Sequence, residues 1–271
     1  MRHTIKRPVE IGVIHWAGLR AFYAKEVWRF LKIGIQTLLA PMVTSVLFLM
    51  VFAVAIGDRA QITDSAGQPV AFTTFLIPGL VMMAVLQNAF ANTSSSLVVG
   101  KVQGNIVDML MPPLGPMELL IGMAGAGMTR GLAVGLVSAL ALGLIGSIGW
   151  PHHLGIALLF LILGALAMAL IGIIAGVWAS KFDSLAAVTN FLIQPLAFLS
   201  GTFYSIHRLP APFDWLASIN PIFMVIDGFR FGMVGLADQA VTKGLMVLLL
   251  VNLVLFGICY RILKTGYRLK S

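Results

Sequence analysis

The sequence predicts an all-α polytopic membrane protein with six transmembrane helices. Three observations predict it. Hydrophobic residues make up 59% of the 271, while Asp, Glu, Lys and Arg together make up 10%; soluble domains carry about 25% charged residues. Six apolar stretches each approach the roughly 20 residues that a helix needs to cross a hydrocarbon core about 30 Å thick. The remaining charges flank those stretches, with a formal net charge of +8.

Residues 1–32 read as a basic cytoplasmic tail and an interfacial helix. Trp16, Phe22, Tyr23, Trp28 and Phe30 alternate with Arg20, Lys25, Glu26 and Arg29, which suits a helix lying in the inner interface with its rings at headgroup depth. As a plain anchor it holds the chain to lipid. As an elbow it also offers Glu26 and Arg29 to a cytoplasmic partner. The first span covers Ile33–Ile56. The loop Gly57–Ala71 is polar and too short for a domain. Phe72–Ser94 forms the second span.

A half-polar segment follows, at about residues 100–112. Val102, Ile106, Met109 and Leu110 fall at i, i+4, i+7 and i+8, one stripe of a helix. Lys101, Asn105 and Asp108 lie on a neighbouring stripe. Pro112, Pro113 and Pro116 stop the helix and stiffen its exit. Such a helix, held between two spans, either rests on lipid or transmits a push to both spans; the residues leave the two readings open.

A third span begun at Met117 would put Arg130 near mid-bilayer, about 20 Å along at 1.5 Å per residue; Gly131–Trp150 is the cleaner stretch, uncharged throughout, and taking it as the third span puts Arg130 at the inner interface and the small-residue run Gly122–Gly127 at or beneath it. Leu154–Ala179 is the fourth. It carries Gly172-xxx-Gly176, and the third span carries Gly131-xxx-Gly135, spacings that let helices approach closely. His152-His153 follows Trp150-Pro151 and reads as an interfacial turn rather than a metal site. Leu185–Tyr204 is the fifth span. Residues 205–241 contain Pro210, Pro212 and Asn220-Pro221 between apolar pieces too short to cross. Pro221 opens a helix over Ile222–Val234, with Asp227 and Arg230 an i,i+3 pair. Irregular backbone at membrane depth must be buried in protein or face water, so this outer region is expected to form short re-entrant helices. Gly244–Ile262 is the sixth span, closing a single transmembrane domain over 33–262, and 263–271 is a basic tail.

Orientation follows from Lys and Arg. The two ends hold Arg2, Lys6, Arg7, Arg20, Lys25, Arg29 and Lys32, then Arg261, Lys264, Arg268 and Lys270; Lys101 and Lys181 fall on the same side. Arg59, Arg208, Arg230 and Lys243 fall on the other. Both termini are therefore expected in the cytoplasm. Positive charge arranged this way matches anionic lipid and not nucleic acid.

The chemistry is that of passage rather than reaction. Cys259 is the lone cysteine, and no His/Cys cluster has metal-ligand spacing. There is no H-E-x-x-H, no G-x-S-x-G and no paired carboxylates in the spans. No catalytic residue, metal or cofactor is expected in this chain. Spans two and five carry the polar decoration. Asn88 and Asn92 sit one turn apart on one, Asn190 and Gln194 one turn apart on the other. These four are the candidate substrate path, the plainer alternative being hydrogen bonds between helices. A secondary transporter or channel is the competing reading, weakened because the six spans contain no Asp or Glu.

Five stretches carry a family resemblance over nearly the whole length. They are Phe75–Met83 (FLIPGLVMM), Asn105–Leu110 (NIVDML), Lys181–Ser184 (KFDS), Phe198–Ser205 (FLSGTFYS) and Asn220–Phe231 (NPIFMVIDGFRF). Their order and spacing resemble permease subunits of the ABC-2 family of ATP-binding-cassette exporters, in the bacterial inner-membrane group that includes the nodulation lipo-oligosaccharide and daunorubicin exporters. The resemblance implies six spans, an N-terminal elbow helix and two re-entrant helices after span five. The segment after span two becomes a coupling helix docking on an ATPase, through Lys101, Asn105, Ile106, Asp108, Leu110 and Pro112. Asn220, Pro221, Asp227 and Arg230 become the outer re-entrant motif. Two copies of the permease pair with two ATPases, which bind ATP and Mg. In agreement, this chain has no G-x-x-x-x-G-K-[ST] loop to cradle phosphate. The implied activity is outward movement of a drug, lipid or saccharide-type substrate.

Overall fold

A computed structural model describes residues 15–57, 62–63, 69–106, 114–146, 149–206 and 209–268. Ten α-helical segments carry the fold among them: α1 (Trp16–Leu31), α2 (Gly34–Ile56), α3 (Phe72–Val102), α4 (Pro116–Ile145), α5 (Leu154–Trp178), α6 (Phe182–Val188), α7 (Gln194–Phe198), α8 (Phe213–Ile219), α9 (Pro221–Val234) and α10 (Val241–Thr265). A π turn, Thr189–Ile193, joins α6 to α7. The connection from α2 to α3 holds a two-residue antiparallel ladder, β1 (Ile62–Thr63) with β2 (Pro69–Val70). Among the described residues five helices are long and apolar enough to cross a membrane: α2, α3, α4, α5 and α10.

The central helix is α3, buried along most of its length and packed against both α4 and α5. Glycines set that closeness. A Cβ on Gly131 would stand 2.8 Å from the Val85 carbonyl, and one on Gly176 2.9 Å from that of Ser94; Gly172 faces the Thr93 hydroxyl and the Phe90 carbonyl. Both expected small-residue pairs therefore lie on the seam with α3. Thr93 completes it by donating to the Ala169 carbonyl at 2.8 Å. A third pair, Gly228 and Gly232 of α9, faces Phe160 and Ala157 of α5. By contrast α2 turns Ile35, Leu39, Leu47 and Val54 outward, an apolar face that suits lipid.

Three expectations need correction. The third span does not begin at Gly131 or run to Trp150. Helix α4 is continuous from Pro116 to Ile145, with Arg130 at the middle of its 30 residues. Its first turn is set by Glu118, which accepts from the Gly115 N–H and also from the His15 N–H, joining the start of α4 to the start of α1. The run Gly122–Gly127 lies within α4. Gly122 lies under Leu19 and Phe22 of α1, and Gly125 under Tyr23.

The fifth expected span, Leu185–Tyr204, is not one helix. Helical turns end at Phe198, and the ladder shifts so that the Gln194 N–H reaches the Thr189 carbonyl. Pro195 explains the shift, because it lacks the N–H that would continue the i→i−4 series. The chain then turns through Gly201, at φ +66°.

Nor do Val102 and Ile106 share one helix. Helix α3 ends at Val102, and a turn over 103–105 follows, with Gly104 at φ +72°. A left-handed residue of this kind ends a helix. Of the expected headgroup rings on α1, Trp16, Tyr23 and Trp28 are exposed, whereas Phe22 and Phe30 are buried against protein.

Candidate functional site

Polar side chains gather at three places. The first joins α1 to α3. Glu26 is buried, and its Oε2 accepts from the Ser96 hydroxyl at 2.7 Å and from Arg29 Nε at 3.1 Å. Arg29 then donates to the backbone carbonyl of Asn92 at 2.7 Å, to its side-chain Oδ1 at 3.1 Å and to Ser95 at 3.3 Å. Glu26 and Arg29, offered by the sequence as elbow contacts, are thus bound within the chain. One turn along α3, Asn88 Oδ1 accepts from Arg130 of α4 at 3.2 Å, while Asn88 Nδ2 returns to the Ala84 carbonyl at 3.0 Å.

Two cavities open beside this part of α3. One, of about 440 Å³, lies between α2, α3 and α4, with Gln36, Gln87, Asn88 and Arg130 on its wall. The other, of about 320 Å³, lies between α3 and the α6–α7 segment, lined by Gln87, Asn88, Ser94, Thr189 and Gln194. Of the four candidate path residues, Asn88 and Gln194 meet across this second cavity. Asn92 is buried and turned toward α1, with no partner for its Nδ2. Asn190 is exposed and outside the lining. Hydropathy had no means to pair Arg130 with Asn88, since the two are 42 residues apart.

The second place is the turn after α3. Lys101 Nζ donates to the carbonyls of Gly176 at 3.0 Å and Ala179 at 3.1 Å, and also to that of Val177. These carbonyls close α5, where a helix leaves its last oxygens unsatisfied and carries a partial negative charge. Asn105 is exposed in the turn and Ile106 is buried. Asp108, Leu110 and Pro112 lie outside the described residues.

The motif at the start and middle of α9 is the third. Asn220 caps α9, its Oδ1 accepting from the Ile222 N–H at 3.0 Å, and its Nδ2 donates to the Leu196 carbonyl at 2.9 Å. Pro221 occupies the first helical turn, where a missing N–H costs nothing. Asp227 accepts from the Asp238 N–H at 2.9 Å and the Gln239 N–H at 3.0 Å. Arg230 is 1% exposed; it donates to the Gly201 carbonyl at 2.6 Å, lies 3.7 Å over the Phe75 ring and is 3.9 Å from Asp227. The four residues tie α9 to the end of α7, to the loop before α10 and to α3. His152 and His153 close the same region, their N–H groups meeting the Met233 and Gly232 carbonyls at 3.2 and 2.8 Å.

Five membrane-length helices among the described residues, with the buried, glycine-seamed α3 one of them and polar cavities beside it, define a polytopic helical membrane protein. Residues 18–234 match the family model described as "ABC-2 type transporter", and the chain belongs to that family. It is 36% identical over 259 residues to "Inner membrane transport permease YadH" of Escherichia coli (strain K12), covering 95% of this chain and 99% of that one. It is 26% identical over 232 residues to "Nodulation protein J" of Rhizobium leguminosarum bv. viciae, covering 83% and 84%. It is thus a membrane transport permease of the ABC-2 kind.

Proposed function

We propose that the chain is the membrane-spanning subunit of an ATP-driven exporter, moving a drug, lipid or saccharide-type substrate outward. The observation that carries this is the family match across 18–234 in a chain that itself has no phosphate-cradling loop. ATP and Mg then belong to a separate ATPase, two copies of which act on two copies of this permease. The YadH protein is named as an inner membrane transport permease, and 36% identity over nearly both chains supports the same membrane here; the distribution of Lys and Arg supports both termini being cytoplasmic.

In this reading the segment after α3 receives the ATPase. Asn105, Ile106, Asp108, Leu110 and Pro112 make the contact, and Lys101 carries the push into α5 through the carbonyls it holds. Asn88 and Gln194 line the substrate path; Asn92 acts from behind, through Arg29 and α1. Glu26 and Arg29 brace the elbow, and the motif of Asn220, Pro221, Asp227 and Arg230 holds the outer closure rigid.

Affinity purification from the native host tests the assignment. A P-loop ATPase is expected to co-purify and to hydrolyse ATP faster in the complex than alone. Asp108→Arg and Ile106→Pro are expected to leave insertion intact and lower complex-dependent hydrolysis. Purification with no ATPase, or full efflux from both variants, contradicts the reading.

A further inference from the structure

The groove between α2, α3 and α4 has a direction. On α3 its wall runs from Leu80 and Met83 to Gln87 and Asn88; on α2 it runs from Phe48 back to Gln36. The two helices run antiparallel along it, yet both turn polar at the same end. That end adjoins α1, because Arg29 binds Asn92 one turn from Asn88. Thr37, Thr44 and Ser45 do not enter the gradient, since their hydroxyls are turned back to the Ile33 carbonyl at 3.2 Å and the Ala40 and Pro41 carbonyls at 3.0 Å each.

Arg130 stands at the polar end, bonded to Asn88, and its buried Nε has no hydrogen-bond partner. Among the described residues the ion pairs are Glu26–Arg29 and Asp227–Arg230, so the Arg130 guanidinium has no carboxylate. A cation at membrane depth without a counter-charge is costly and calls for an anionic partner. From Thr37 to Phe48 the groove wall rises about 16 Å along α2 at 1.5 Å per residue, close to the roughly 15 Å of one leaflet's hydrocarbon. Its volume, about 440 Å³, lies in the range of roughly 300–1,000 Å³ typical of small-molecule sites. The wall of α2 continues into the exposed apolar face of Ile35, Leu39 and Leu47, so a lipid reaches the groove sideways from the bilayer.

We propose that the α2–α3–α4 groove binds a membrane lipid with an anionic phosphate headgroup, its phosphate on Arg130 and one chain lying toward Phe48. The guanidinium supplies parallel N–H donors that match phosphate oxygens. The inference does not depend on the ATP-driven reading, and its test needs no ATPase.

The chain purified in dodecyl maltoside is titrated with phosphatidylglycerol, with phosphatidylcholine of the same chains and with inorganic phosphate, and bound lipid is counted by native mass spectrometry. Phosphatidylglycerol is expected to be retained at one per chain, at least about tenfold more tightly than phosphatidylcholine. Arg130→Gln is expected to erase that preference and Arg130→Lys to keep part of it. Ala40→Trp leaves the charge in place and fills the groove wall, so it is expected to weaken retention as much; it also decides the matter if Arg130→Gln does not fold. Equal retention of both lipids, an unchanged preference in Arg130→Gln, or full retention in Ala40→Trp overturns the proposal. So does inorganic phosphate displacing the lipid at equal concentration, which marks a soluble-anion site, or no lipid retained by the wild type, as when a second copy of the chain fills the groove.

Discussion

Single side chains hold distant helix ends together. Lys101 satisfies the carbonyls that close α5, 75 to 78 residues away. Lys101→Met leaves those oxygens without a donor and is expected to cost about 1–3 kcal/mol, read as a lowered midpoint in detergent unfolding; Lys101→Arg is expected to recover most of it. Arg230 and Asp227 make a similar knot on α9, wholly within protein. Removing one member of a buried pair leaves the other charge uncompensated, so Arg230→Met is expected to destabilise by roughly 3–5 kcal/mol. Asp227→Asn keeps an acceptor for one of its two backbone N–H partners and is expected to cost less in the same assay.

Helices act as units where their seams or breaks are set by one residue type. Gly172 sits where any Cβ meets α3, and Gly172→Val is expected to force the α3–α5 seam apart at a cost of about 1–3 kcal/mol or more. In the α6–α7 segment, Pro195→Ala restores an N–H to the ladder. The π turn is then expected to relax to α-helix, with slower amide exchange over 191–198; unchanged exchange would assign the turn to packing rather than to Pro195. These elements show what was legible in the sequence. The α9 helix was readable to the residue, because Asn220-Pro221 marks its start and the i,i+3 pair its register. Glycine spacing located the α3 seams. The start of α4 was legible only as the alternative at Met117, set aside in favour of Gly131. A hydropathy window treats Arg130 as the end of a span, yet the charge is accommodated by Asn88 and a cavity that only the fold assembles. For the same reason Asn88, Asn92, Asn190 and Gln194 stood together as path candidates: an i,i+4 spacing fixes a common helix face and says nothing of which neighbour it meets, and the fold sets Asn88 and Gln194 on one cavity, Asn92 toward α1 and Asn190 outside that lining.

Among the described residues α2, α4, α5 and α9 pack around α3 while α10 lies against α5 and α9, and the power source lies elsewhere in the proposed reading. Apolar stretches of span length fixed its class, and the ordered family stretches narrowed it further, in accord with a match over 18–234. The substrate path faces a second copy of the chain in this reading, so Asn190→Leu with Gln194→Leu is expected to lower transport several-fold at normal expression, and Asn92→Leu to act through α1 and stability instead. Reconstitution tests the central claim most directly. The purified permease is placed in liposomes with and without its co-purified ATPase, and movement of a labelled lipid or drug cargo is followed on adding ATP and Mg. Vectorial movement that appears only with ATPase and ATP together is the expected result; movement by the permease alone, without nucleotide, contradicts the account.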